Sequence, residues 1–181
     1  MKINAVLTIV GFALTLGLGC SKAPTSDIHT QAHVAPGLEK QPLRTFAWAG
    51  GLTIATKPDG LWNPPDFDVA SETKFLIDQE LRERGLSEVT ESPDLVVAFL
   101  VVNDVKDLEK IEGKEGAKEV ELNAVGQGAL VIEIAQVSTE RVVFLGAATA
   151  ETQSKYTKDE MKARLAHAVD HILADFKPQT K

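Results

Sequence analysis

Two histidine pairs are the first candidates for chemistry. His167 and His171 stand at i, i+4 in a stretch that reads as a helix, a spacing that sets two imidazoles on one side. Such a pair holds zinc or copper well only with a third ligand, and Asp170 is read as lying off their face. Counting about 100° per residue from Leu165 turns both rings away from the apolar stripe, so they read as solvated. His29 and His33 repeat the spacing where the chain has no apolar period, and they would share a metal only if that segment were helical. They too read as solvated. Asp104, Asp107, Glu109 and Glu112 gather carboxylates without the glycine and terminal glutamate of a calcium loop. Gly113-Lys114 lacks the upstream glycine and downstream hydroxyl of a phosphate cradle, and no nucleophile elbow or His-Glu-x-x-His pair occurs. The expectation is a chain with no catalytic residues, no metal and no cofactor, and so not an enzyme.

Cys20 is the residue with the clearest chemical assignment. It is the single cysteine, so it has no partner for an intrachain disulfide. Met1 and Lys2 make a short positive start, and Ala5 to Leu18 is apolar except for Thr8, Gly11, Thr15 and Gly17. That is signal-peptide length, too short and too interrupted to span a bilayer. Leu16-Gly17-Leu18-Gly19-Cys20 resembles the lipobox of bacterial lipoproteins, in which the cysteine is acylated and becomes the first mature residue. Gly17 stands where that pattern has an apolar side chain. The other reading is an ordinary secretory signal whose cysteine is incidental. Residues 1–19 are thus expected to be a signal peptide, and Cys20 a lipidation site carrying palmitate-type chains. Ser21 in place of aspartate resembles the lipoproteins sent on to the outer membrane.

Charge points the same way. The chain carries a formal charge of −7, and cleavage before Cys20 removes one lysine and no acid, leaving 18 basic against 26 acidic residues. A surface with that balance has no electrostatic draw toward nucleic acid or anionic lipid. Membrane attachment would rest on the acyl chains, at about 0.8 kcal/mol per buried methylene.

The elements that position these residues follow from spacing. Residues 20–40 are Ser, Thr, Ala, Pro and Gly with scattered charge, read as a flexible tether after the lipidated cysteine. Residues 41–178 suit a single domain. Thr45-Phe46-Ala47-Trp48 alternates as a strand with both rings on one face. Asp66 to Arg84 reads as a helix capped by Asp66 or Asp68 and stopped by Gly85. Leu95–Val102 is a near-continuous apolar strand, which suits a central place in a sheet. Ala129–Ala135 and Val142–Thr149 form a hairpin, with Gly126 and Gly128 expected to mark a bulge or bend. Thr157 and Glu160 are a capping box opening a last helix whose stripe runs from Met161 to Phe176. The order β-α-β-β-β-α predicts an α+β two-layer sandwich, a four-stranded mixed sheet with two helices on one face.

The Thr45-Phe-Ala-Trp48 strand, the helix end Leu81-Arg-Glu-Arg-Gly85, Pro93-Asp-Leu-Val-Val-Ala98 and Gly128-Ala-Leu-Val-Ile-Glu133 together resemble the bacterial lipoproteins grouped as domain of unknown function 4136. That resemblance implies this fold and a cell-envelope address, and it carries over no site. The function expected is a lipid-anchored, non-catalytic binding or scaffold module facing the periplasm, with an envelope protein as partner. A small-ligand or metal carrier is the alternative, and a periplasmic enzyme a more distant one.

Two long connections, Gly50–Pro65 and Asn103–Glu119, are expected at one end of the sheet, away from the end where the tether enters. Leu61 and Trp62, beside Pro64 and Pro65, are the candidate partner contacts. The competing reading folds Trp62 back onto the open face of the sheet.

Overall fold

A computed structural model describes residues 25–40, 42–49, 53–55, 67–102, 127–151 and 156–179, with residues 53–55 and 127 as backbone alone. The strands are β1 (His29–Val34), β2 (Thr45–Trp48), β3 (Thr53–Ala55), β4 (Ser87–Glu88), β5 (Leu95–Val102), β6 (Gln127–Gln136) and β7 (Arg141–Glu151). The helices are α1 (Val69–Glu83), between β3 and β4, and α2 (Lys158–Leu173), after β7.

The fold is α+β with a mixed sheet and two helices, but the sheet is wider than the four strands expected. Six strands lie in the order β1-β7-β6-β5-β2-β4, and β3 pairs with β5 as well. β2 and β3 both run parallel to β5, one against Leu95–Val97 and the other against Leu100–Val102. They therefore follow each other along one edge of β5, while β6 takes its other edge in antiparallel register. β5–β6–β7 is the expected antiparallel meander, with β6 and β7 the expected hairpin.

The added strands had no hydrophobic signature to read. β1, of sequence HTQAHV, is mostly exposed and joins β7 through a six-residue antiparallel ladder. Backbone pairing alone makes an edge strand, so its side chains need show no apolar alternation. β4 is two exposed residues long and β3 only three. Residues 29–34 of the stretch expected to be a flexible tether are therefore a strand. Leu38, within a short 3-10 turn, is 1 % exposed and belongs to the core.

Local signals set the helix boundaries. Asp68, not Asp66, caps α1, its Oδ1 accepting from the backbone N–H of Ala70 at 3.0 Å and Ser71 at 3.1 Å. At the other end Gly85 takes φ +83°, and Leu86 N–H donates to Leu81 O at 3.1 Å, the closure of a Schellman turn. The capping box of α2 is present in both directions between Thr157 and Glu160. Arg84 reaches across and donates to the carbonyls of Leu173 and Phe176, at 3.0 and 3.1 Å, at and just beyond the end of α2.

Both helices pack on one face of the sheet in a single cluster. Ile77 and Leu81 of α1 and Val169, Ile172 and Leu173 of α2 meet Phe46, Val97, Ile132 and Phe144. Phe144 packs edge-on to Phe176 with ring centroids 5.3 Å apart, and Trp48 stands edge-on between Phe46 and Phe99. The opposite face carries a smaller buried cluster of Val102, Ala129, Val131, Val142, Leu145 and Ala147. Glu133 lies on that face with Ala98 and Leu145 as its cross-strand neighbours. The hairpin's irregularity falls between Ile134 and Ala135, where Val143 of β7 has no register partner on β6, and not at Gly128, which keeps regular register with Ala150; Gly126 lies outside the described residues.

The topology corrects one further expectation. β1 descends antiparallel to β7, so its first residues stand beside the end of β7, the end of β5 and the start of β6. The amino-terminal segment thus enters the fold at the same end from which the long connections leave, not at the opposite one. β1 was the unread strand, and its presence reverses the direction of entry.

Candidate functional site

At that end of the sheet, under the first turns of both helices, lies a cleft of about 200 Å³. Its floor is the sheet: Val101 near the end of β5, Leu130 on β6, Ala148 and Ala150 on β7. Its walls are Val69 at the start of α1 and Met161, Leu165 and Ala168 on α2. Ile28, the residue before β1, also lines it. Gly128, Ala148, Ala150 and Ala168 are small where the hairpin end faces α2, and they border the cleft.

One polar group of residues borders this apolar space. Arg164 sits on the stripe of α2 between Met161 and Ala168, with its side chain 8 % exposed. Its Nη1 and Nη2 donate to Oδ1 and Oδ2 of Asp27, each at 2.7 Å, and its guanidinium lies 4.5 Å over the Tyr156 ring. Asp27 Oδ2 also accepts the backbone N–H of Glu151 at 3.2 Å. Hydrogen bonding to Arg164, more than any other influence, holds the Asp27 carboxyl below its ordinary range, and the same bond raises Arg164. The residue before the cleft-lining Ile28 is therefore fastened to both α2 and β7.

A second polar knot lies at the other end of β2 and β5. Asp94 Oδ2 accepts from the backbone N–H of Arg44 and Thr45, at 2.8 and 3.0 Å, and from Thr45 Oγ1 at 3.0 Å, while Asp94 N–H donates back to Thr45 Oγ1 at 2.9 Å. The backbone bond from Arg44 is the chief reason its carboxyl is held low. This arrangement aligns two parallel strands.

The residues singled out from sequence fall in several places. Cys20, Leu61 and Trp62, the Asp104–Glu112 carboxylates and Gly113-Lys114 lie outside the described residues. His29 and His33 lie on a strand, not a helix, and four residues of strand set them about 13 Å apart. His167 and His171 stack with centroids 3.8 Å apart, and His171 Nδ1 lies 2.9 Å from His167 O. Asp170, expected off their face, brings Oδ2 to 3.3 Å from His171 Nδ1. Among the described residues no three metal-binding side chains converge, and no helix is long and apolar enough to cross a membrane.

Arg164 and Asp27 were not foreseen. The signal for the first was present: Arg164 occupies a stripe position, three after Met161 and four before Ala168, where burial demands an anionic partner. That partner lies 137 residues away, in the stretch read as tether.

Solved structures share this fold at low identity. A DUF4136 family protein from Bacteroides thetaiotaomicron superposes with a TM-score of 0.60 at 12% identity, covering 86% of this chain and 99% of its own. The PelC dodecamer from Paraburkholderia phytofirmans gives 0.50 at 12% identity, covering 84% and 99%. No curated protein matches the chain in sequence. The family model described as Domain of unknown function (DUF4136) matches residues 41–178, and the chain belongs to that family.

Proposed function

We propose that this protein is a lipid-anchored module of the cell envelope, held at the outer membrane by acyl chains on Cys20, with its domain facing the periplasm and acting by binding rather than catalysis. The observation that carries this reading is the run Leu16–Cys20 after an apolar segment of signal length. The fold adds a geometric consequence. Asp27 is fastened to the body, so only residues 21–26 separate the acylated cysteine from it. At most about 3.6 Å per residue, that span keeps Asp27 within about 25 Å of Cys20. On this reading the cleft end of the sheet, with the chain ends that lead into the long connections, faces the anchoring membrane. Leu61 and Trp62 remain the candidate contacts for a protein partner, now expected on the membrane-proximal side.

The carrier reading gains support from one observation, the apolar cleft itself, since small-molecule sites are concave and chiefly apolar with a few polar groups. Fractionation tests the anchor. The wild-type chain should stay with membranes through a high-salt wash, and Cys20→Ser should move to the soluble fraction. A Cys20→Ser chain that remains membrane-bound overturns the reading.

A further inference from the structure

We propose that the cleft between the hairpin and α2 is a binding site for a single alkyl chain, taken from a lipid of the membrane that anchors the protein. Three observations lead to it. The first is shape and lining: Ile28, Val101, Leu130, Ala148, Leu165 and Ala168 line an open cleft of about 200 Å³. An engineered apolar cavity of about 150 Å³ stays dry and holds benzene, so this one has room for a stretch of alkyl chain. It falls short of the roughly 300 Å³ at which sites for larger molecules begin, which suits one chain better than paired acyl tails.

The second observation is polarity. The polar groups gather in one patch, where Asp27 joins Arg164 and Glu151 and the Tyr156 ring lies under the guanidinium. An occupant with one polar end and one apolar body matches that division. The third is position. Ile28 lines the cleft two residues after the proposed anchor segment, so the cleft lies at the end that the anchor holds toward the bilayer. This third step rests on the lipid-anchored reading; the first two do not.

The test therefore has two parts. In solution, full-chain Cys20→Ser protein is titrated with dodecanoate while side-chain methyl resonances are followed. Saturable shifts at Ala148, Leu165 and Ala168 are expected, and Ala150→Phe, which fills the cleft from a half-exposed position, should weaken binding at least tenfold. Ala168→Leu is the second filling variant, and thermal melting shows which of the two stays folded. An absence of saturable shifts, or equal binding by a folded filling variant, overturns the site. The wild-type chain is then reconstituted in phosphatidylethanolamine vesicles whose lipid carries a photoreactive group on one acyl chain. Crosslinks on the peptides bearing Ala148 and Leu165, reduced in the same variant, support a membrane lipid as the source. Dodecanoate binding without those crosslinks overturns that source, as does a cleft found filled by the chain's own acyl group. Failure of the chain to float with the vesicles counts against the anchor alone, because the solution result stands apart from it.

Discussion

Asp27 and Arg164 stand 137 residues apart and meet through two parallel hydrogen bonds of 2.7 Å. Asp27 stands two residues before β1, and the pair joins it to the middle of α2, so the first strand is tied to the last helix. Removing one partner of a buried ion pair costs about 3–5 kcal/mol. The Asp27 side chain is 20 % exposed, which brings the expected cost of Asp27→Ala to about 2–3 kcal/mol. Denaturant unfolding should show that loss, and hydrogen exchange should rise across His29–Val34 before the rest of the sheet. Unchanged exchange in that strand would show that the ladder to β7 holds it without the pair.

Acid should loosen the fold at both carboxylate knots. Asp27 and Asp94 have folded-state pKa values below their unfolded ones, so each binds fewer protons folded than unfolded near that range. The stability they contribute is fully present above the unfolded value of about 3.9 and is lost as pH falls through the lower folded value. Asp94→Asn should flatten the acid limb of the stability–pH curve, with about 2 kcal/mol lost at neutral pH, where a charged acceptor is replaced by a weaker one. A limb as steep as the wild type's would place the acid sensitivity elsewhere.

α2 approaches the sheet closely at Gly146. A methyl at its Cα would lie 2.5 Å from Ile172 Cγ2 and 2.9 Å from the Phe144 ring. Ile172 is fully buried and cannot swing clear. Gly146→Ala should therefore destabilise by about 1–3 kcal/mol, the usual cost of overpacking. A variant as stable as the wild type in thermal melting would mean that α2 shifts freely on the sheet.

The stripe of α2 divides into a packed half and a cleft half. Ile172→Ala removes a fully buried side chain and should cost about 2–5 kcal/mol. Leu165 borders the cleft and is only half-buried, so Leu165→Ala should cost less, about 1–2 kcal/mol. His167→Ala, off the stripe, should stay within about 0.5 kcal/mol. Equal losses at Ile172 and Leu165 would argue that the cleft closes in solution.

Where a side chain's environment follows from its immediate neighbours, the sequence was readable. Gly85 and Leu86 announced the end of α1, Thr157 and Glu160 the start of α2, and Leu95–Val102 its central place in the sheet. β1 could not be read this way, since an edge strand is held by its backbone and its residues face water. Missing it reversed the direction from which the chain enters the fold. The cleft was equally hidden, because it arises where alanines and a glycine from separate elements come together. Arg164 alone gave a sign, as a charge on an apolar stripe, but nothing near it in sequence named Asp27.

The account depends most on the chemistry of Cys20, and the mass of the amino-terminal peptide from membrane-extracted protein measures it directly. The expected peptide begins at Cys20 and carries a thioether-linked diacylglyceryl group and an amide-linked acyl chain. A peptide beginning elsewhere, or an unmodified Cys20, would contradict the account.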